Sequence, residues 1–228
     1  MRNSQLKLSL AMMVLTLLIS CGSDDDGGGW KCGDNITDAD GNIYSTVKIG
    51  DQCWTVTNLN TSKFNDGTDI PNVTDQEAWG DLDTPAWSYY NNDASFGSIH
   101  GKLYNWYTIE TGNLCPEGWH VPSISEWDVL VDELGGTSVA GEAMKSISGW
   151  DNSPENATNS SGFSLMPSGN RDTWSSFLGL GEDAWVYSST ENEDDATKVE
   201  LIHVDLGTEA TTLMTIKTDG LPCRCVKD

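Results

Sequence analysis

Positive charge is scarce in this 228-residue chain: 12 Lys and Arg stand against 35 Asp and Glu, for a net charge of −23. A surface so biased repels phosphate backbones and anionic lipid head groups, which excludes nucleic acid as a partner. Histidine is scarcer still. His100, His120 and His203 fall without HxH or HxxxH spacing, so a histidine metal site has little basis. Internal repetition is absent at periods of about 20 to 50 residues, which excludes solenoids and propellers. The apolar run at residues 8–20 is too short for a comfortable membrane span. Calcium-loop spacing is imitated and then fails. Asp38, Asp40 and Asn42 open like an EF-hand, but Ile43 stands where glycine is required and Ile49 where glutamate closes the loop, so the segment reads as a turn.

The amino terminus is informative. Arg2 and Lys7 precede the apolar run, which ends in Leu18-Ile19-Ser20-Cys21, the charge, core and small-residue order of a signal peptide over residues 1–20. The last four residues resemble the bacterial lipobox, which implies that Cys21 becomes the lipidated first residue. Gly-Ser-Asp-Asp-Asp-Gly-Gly-Gly follows with no apolar side chain to bury, so residues 21–29 are expected to act as a flexible tether and residues 30–228 as the domain. The acidic run behind the cysteine resembles the surface-export signal of Bacteroidota lipoproteins. It points to an outer-membrane lipoprotein on the cell surface, the periplasmic face being the alternative. Removing residues 1–20 takes away two basic residues and no acidic one, and the mature chain then carries −25.

Ten Trp and many Gly, Asn, Asp and Ser between short apolar runs suit one loop-rich α+β domain. Six cysteines in an exported chain read as one lipid site and disulfide candidates. Cys32 and Cys53 flank a hairpin built from residues 37–50 and 52–59 and form a plausible local pair. Cys115 is left to pair with Cys223 or Cys225, with one thiol over. A lone CxC is weak evidence for zinc. Residues 60–100 read as a long irregular loop pinned by aromatic side chains. Leu103, Trp106 and Tyr107 have the spacing of a short helix. Ser123-Ile-Ser-Glu126 is a capping box, followed by Trp127, Leu130, Val131 and Leu134 and closed by Gly135-Gly136, so residues 123–134 are a predicted helix. A shorter helix is predicted over 139–147. Strands are predicted at 162–166, 184–189, 199–206, 210–217 and 221–226, with Gly207-Thr-Glu as a hairpin connection.

Several of these segments together resemble the Fibrobacter succinogenes major paralogous domain family. They are Val47-Lys-Ile-Gly-Asp-Gln-Cys-Trp54 with Asn58-Leu59, Gly101-Lys-Leu-Tyr-Asn-Trp-Tyr107, Leu114-Cys-Pro-Glu-Gly-Trp-His-Val-Pro-Ser-Ile-Ser-Glu-Trp127, Ala157-Thr-Asn-Ser-Ser-Gly-Phe163, Tyr187-Ser-Ser-Thr-Glu191 and Arg224-Cys-Val-Lys-Asp228. The resemblance implies a C-type-lectin-like fold, with two to three short helices, small antiparallel sheets, long loops, and the first and last strands brought together. It implies no enzymatic activity. Within its closing motif Cys225 is the favoured partner of Cys115, although Cys223 departs from the apolar residue usual before Arg224.

Chemistry is sparse. His120 lies near Glu126, yet no nucleophile or metal accompanies them, and Glu126 is accounted for by the helix cap. The lectin-like resemblance raises calcium as an option, but Trp150-Asp-Asn-Ser-Pro-Glu-Asn156 holds calcium-lectin residue types in the wrong order, and no cofactor is expected. The expectation is a non-catalytic binding module, held to the membrane through the Cys21 lipid, that recognises an extracellular glycan or protein. Trp150 and Trp174, in the loop-rich region after the third helix, are the candidate ligand-binding residues. The alternatives are a structural component of an envelope assembly and a polysaccharide-active enzyme. Acylation is directly testable: a fatty-acid analogue supplied to cells should label the wild-type chain and leave Cys21→Ala unlabelled, and label retained by the variant would refute the lipobox reading.

Overall fold

The computed structural model describes residues 29–152, 155–174 and 176–228; the expected signal segment, Cys21 and tether residues 21–28 lie outside them. In the amino-terminal part, turn chemistry shapes the backbone. The Asp38 carboxylate accepts from the backbone N–H groups of Asp40 and Asn42 at 3.0 and 2.9 Å and from the Tyr44 hydroxyl at 2.6 Å. It thereby closes the turn between β1 (Ile36–Thr37) and β2 (Ile43–Tyr44). The predicted hairpin follows as β3 (Thr46–Ile49) and β4 (Gln52–Thr55). The next stretch is irregular, as expected, and holds α1 (Gln76–Gly80), β5 (Trp87–Ser88), two short 3₁₀ turns (Tyr90–Asn92 and Ala94–Phe96) and α2 (Gly97–His100). Buried Trp79, Trp87 and Tyr90 anchor it.

The predicted helix at 103–107 is corrected: Leu103 lies in β6 (Leu103–Tyr104), paired with β5, and the helix is α3 (Trp106–Ile109). Asn105 decides the boundary, because its side-chain oxygen accepts from the Thr108 N–H and caps a helix that begins after it. Then come β7 (Trp119–His120), α4 (Ile124–Glu133) and α5 (Ala140–Met144). The capping box of α4 is complete, with Ser123 N–H donating to Glu126 Oε2 at 2.8 Å and Ser123 Oγ accepting from Glu126 N–H at 3.3 Å. Residues 162–166 do not form the predicted strand; only Leu165 bridges Lys145. The strands there are β8 (Ser168–Arg171) and β9 (Phe177–Leu180). The chain closes with β10 (Ala184–Glu191), β11 (Lys198–Val204), β12 (Ala210–Ile216) and β13 (Val226–Lys227).

The architecture is α+β. A four-stranded antiparallel sheet has the order β3-β4-β13-β7, so the last strand lies between the early hairpin and β7. A second antiparallel sheet runs β10-β11-β12. One apolar cluster gathers Tyr104, Trp106, Trp119 and Tyr187. Another gathers Trp54, Trp127, Trp150 and Phe163, with Trp54 and Trp127 ring centroids 4.6 Å apart. Among the described residues, no helix is long and apolar enough to cross a membrane.

Two disulfides staple the unit: Cys32 to Cys53, and Cys115 to Cys225 across 110 residues of sequence. Cys223 is a buried free thiol. Between Cys223 and Cys225 the chain turns the Arg224 side chain into the core, where it is fully buried. Its guanidinium donates to Asn58 Oδ1 at 2.7 Å, to the carbonyls of Thr55 and Phe163 at 2.8 and 3.0 Å, and to that of Ser164 at 3.0 Å. Burial lowers its pKa to about 9. Arg224→Met would leave these acceptors without a donor, at roughly 1–3 kcal/mol for each that finds no water. The urea midpoint should therefore fall by an amount worth at least about 3 kcal/mol, whereas Lys48→Met, at an exposed ion pair, should move it by under about 1 kcal/mol. Equal effects would show that Arg224 is not a structural centre.

Candidate functional site

The β8–β9 hairpin presents the most exposed large aromatic side chain of the described residues. Trp174 sits in its turn and is 75% exposed. The hairpin base is fixed by Arg171, fully buried, whose guanidinium donates to the carbonyl of Val73 at 2.7 Å, of Thr74 at 3.4 Å and of Asp75 at 3.2 Å. The same group lies over the Trp79 ring at 4.2 Å and the Phe177 ring at 5.3 Å. Burial is the main reason its pKa falls to about 10, against the pull of Asp75 and Asp172. The tip is held as well. Gln76 Nε2 donates to the Trp174 carbonyl at 2.6 Å, and the hydroxyls of Thr173 and Thr218 are bonded at 2.7 Å. Gly80 lets α1 approach, since a Cβ there would stand 2.7 Å from the Thr173 carbonyl oxygen. Leu178, also exposed, lies on the same hairpin. The backbone of Trp174 is thus clamped from two sides while its ring faces solvent.

Trp150, the other candidate, is corrected. It is only 4% exposed and belongs to the core cluster around Trp54, so its face is not available to a ligand. Lys145 explains its position. The Lys145 ammonium lies 5.4 Å from the Trp150 ring and is itself buried. It donates to Asn156 Oδ1 at 2.9 Å, to the Asp205 and Leu206 carbonyls at 3.3 Å, and to the Gly207 carbonyl. The structure therefore puts an internal ammonium against Asn156 and the carbonyls of residues 205–207. Asn156 Oδ1 is committed to the Lys145 ammonium, which already supplies a positive charge at that oxygen; Ser153 and Pro154 lie outside the described residues. Among the described residues, no group of three His, Cys, Asp or Glu side chains is placed to hold a metal ion.

His120 sits at a charged junction of three elements. Its Nε2 bonds Glu126 Oε1 at 2.8 Å and its Nδ1 bonds Asp228 Oδ1 at 2.7 Å, joining β7 to the start of α4 and to the last residue. Ser123 Oγ donates to Glu126 Oε2 at 2.8 Å, so both imidazole nitrogens and the hydroxyl are turned to carboxylates and the imidazole does not contact the hydroxyl. That is the geometry of a braced helix cap. The sequence pointed to His120 and Glu126; Asp228 was missed, because nothing local connects the final residue to position 120. His100 and His203 are likewise engaged, by Ser168 at 3.3 Å and Asp183 at 2.8 Å.

A family model described as the Fibrobacter succinogenes major domain matches residues 47–227. The chain belongs to that family. Searches among curated proteins and among solved structures returned no match. The six segments that resemble the family supply the scaffold more than the exposed hairpin. Asn58 and Arg224 bond each other, Trp54, Trp106 and Trp127 are buried, and Lys102 donates to the Asn60 carbonyl at 2.5 Å. Gly101 of the second segment has φ +74°, and a Cβ there would meet the Leu59 carbonyl at 2.5 Å, so glycine is required.

The junction at His120 carries a pH dependence. Desolvation pulls the imidazole pKa down, but hydrogen bonds to Asp228 and Glu126 outweigh it and hold the pKa above 6.5. For Glu126, desolvation is outweighed by hydrogen bonds from Ser123 and His120, and its pKa lies below 4.5. A raised histidine stabilises below its unfolded pKa and loses that contribution as pH rises through the folded value. A lowered carboxyl stabilises above its unfolded pKa and loses that contribution as pH falls through the folded one. The two overlap between 4.5 and 6.5. The gap in melting temperature between wild type and His120→Gln should therefore peak near about pH 5.5 at roughly 2–4 °C and shrink toward about pH 8. A gap that widens with pH would contradict the assignment.

Proposed function

We propose that this chain is a lipid-anchored, cell-surface binding module of C-type-lectin-like fold, without catalytic activity, that takes an extracellular glycan or protein on the β8–β9 hairpin. The observation that carries the reading is Trp174, an exposed indole on a hairpin whose backbone is clamped by Gln76, Thr218 and Arg171. A rigid aromatic face loses little conformational freedom on binding and presents apolar area to a sugar ring or a side chain. The lectin-like fold is supported by the meeting of β4 and β13 in one sheet and by the small antiparallel sheets with long loops. A non-catalytic role is supported by the commitment of His120, Glu126 and Ser123 to a helix cap. Surface display rests on residues 1–29, through the lipobox at Cys21 and the acidic run behind it. The Lys145 ammonium, in turn, supports binding that does not require calcium.

The test is a glycan array and an envelope pull-down with the full chain, each run with calcium and with chelator. Binding should survive chelation. Trp174→Ala should weaken it by about tenfold or more, about 1.4 kcal/mol, with an unchanged melting temperature. Binding abolished by chelator would replace the aromatic platform with a calcium-dependent lectin site. Turnover of a polysaccharide without retained ligand would replace the module with an enzyme.

A further inference from the structure

The sheet β10-β11-β12 has two edges of very different character. The outer edge of β10 is covered: Tyr187 N–H donates to the Pro222 carbonyl at 3.2 Å and Ser189 N–H to the Pro122 carbonyl at 2.7 Å, while a register shift interrupts the strand between Tyr187 and Glu191. The edge formed by β12 has none of these protections. Its sequence, Ala-Thr-Thr-Leu-Met-Thr-Ile, contains no charge and no proline, and its register with β11 is unbroken from Ala210 to Ile216. Thr212, Leu213 and Met214 are exposed in succession, Leu213 at 37% and Met214 at 52%. Consecutive side chains point to opposite faces of a strand, so the middle of β12 is open on both faces. Among the described residues, the backbone of 211–215 makes no hydrogen bond beyond β11, and the ties lie at the ends, where Ala210 N–H donates to the Thr137 carbonyl and Trp106 N–H to the Lys217 carbonyl. Soluble proteins normally blunt such an edge with lysine, proline or a bulge, because unpaired N–H and C=O groups recruit another strand.

The surroundings specify what can dock. At one end of β12 a cavity of about 400 Å³ is lined by Asp205, Thr208, Glu209 and Thr211. At the other end a cavity of about 470 Å³ is lined by Tyr107, Ile216 and Thr218 together with Lys217. The Lys217 charge is taken by Glu191 at 2.5 Å and that of nearby Lys198 by Asp195 at 3.3 Å, which leaves Glu193 and Asp194, in the turn before β11, without an ion-pair partner among the described residues. An extended peptide along this edge therefore finds apolar and threonine side chains in the middle and carboxylates near its ends.

We propose that β12 is a docking edge for a second protein, which adds an extended, β-prone segment carrying lysine or arginine as a fourth strand beside β12. Main-chain hydrogen bonds supply the pairing, and the acidic ends select the charge of the incoming segment. A second copy of this chain is the disfavoured occupant. Antiparallel pairing of two β12 strands sets the Asp205 and Glu209 end of one copy beside the Glu193 and Asp194 end of the other, and each copy already carries a net charge of −23. The site is separate from Trp174, so either proposal can fail without the other.

Amide hydrogen exchange on the full chain tests it, with short capped peptides as probes. A peptide alternating lysine and valine should slow exchange at residues 211–215 by about tenfold or more when present well above its dissociation constant. The same design with glutamate in place of lysine should leave those amides unchanged, and so should one with proline in place of valine, which keeps the charge but cannot pair as a strand. Two variants separate pairing from folding. Leu213→Lys with Met214→Lys should abolish protection at an unchanged melting temperature. Asp205→Asn with Glu209→Gln should weaken binding without altering the strand. Equal protection by the lysine–proline peptide would reduce the effect to bulk charge and overturn the proposal. So would protection confined to other segments, no protection by any probe, or a dimer whose β12 amides are protected without a probe, the last assigning the edge to self-association.

Discussion

A buried cation bonded to main-chain carbonyls and roofed by an aromatic ring recurs four times in this domain, and its irregular segments depend on that arrangement. Lys102 lies 4.4 Å from the Trp87 ring, Lys145 5.4 Å from Trp150, Arg171 4.2 Å from Trp79 and Arg224 4.7 Å from Phe163. A loop that passes through a protein interior has no ladder partner for its carbonyls, and an unpaired buried carbonyl costs about as much as a lost hydrogen bond. A guanidinium or ammonium can satisfy several at once. Arg224 serves Thr55, Phe163 and Ser164, Arg171 serves residues 73–75, and Lys145 serves the turn at 205–207. The cost is desolvation, which lowers the pKa of each of these groups. Carbonyl dipoles and the ring face offset it without a full counter-charge.

This internal use of cations shapes the outside. Four of the twelve basic residues are withdrawn into the core, and of the surface lysines Lys48, Lys63, Lys198 and Lys217 each lie beside an acid. The acids, 35 in the chain, therefore face few unpaired surface cations. A negative surface of this kind raises the encounter rate with partners of the opposite sign. The uncharged stretches, residues 173–180 of the Trp174 hairpin and β12, then stand out as the places where desolvation is cheap enough for specific contact.

The sequence disclosed the elements governed by local chemistry and hid those governed by distant partners. The capping box at Ser123 placed α4, and the β-branched and aromatic residues at 184–189 and 210–217 placed β10 and β12, because caps and strand propensity act within a few residues. Leu103 was read into a helix because spacing ignores Asn105, whose cap starts the helix one residue later. Phe163 and Leu165 suggested a strand, yet the carbonyls at 163 and 164 are taken by Arg224, leaving no ladder to form. The Ser-Gly-Asn-Arg sequence of β8 has no strand pattern at all; its pairing is imposed by β9 and by Gly220. Trp150 and Trp174 were indistinguishable by sequence. What separates them is Lys145, a residue whose burial runs against the usual solvation of lysine and left no local mark.

The two outward surfaces share one support. Beyond the end of β12, the Thr218 carbonyl accepts from Trp79 Nε1 at 2.8 Å and its hydroxyl bonds that of Thr173, while Gly220 exchanges backbone hydrogen bonds with Arg171 at 2.7 and 2.9 Å. The segment that terminates the open edge is therefore the same one that braces the hairpin carrying Trp174. Such a support has to be rigid, since a platform that moves loses by ordering entropy what its contacts gain. It is rigid because Asp219, just inside it, contributes its carbonyl to the Tyr187 hydroxyl at 2.7 Å and its carboxyl to Thr215, tying the segment to both β10 and β12. The exposed side chains at 174 and 212–214 thus stand on segments joined through Thr218, Asp219 and Gly220, whose own bonds face inward.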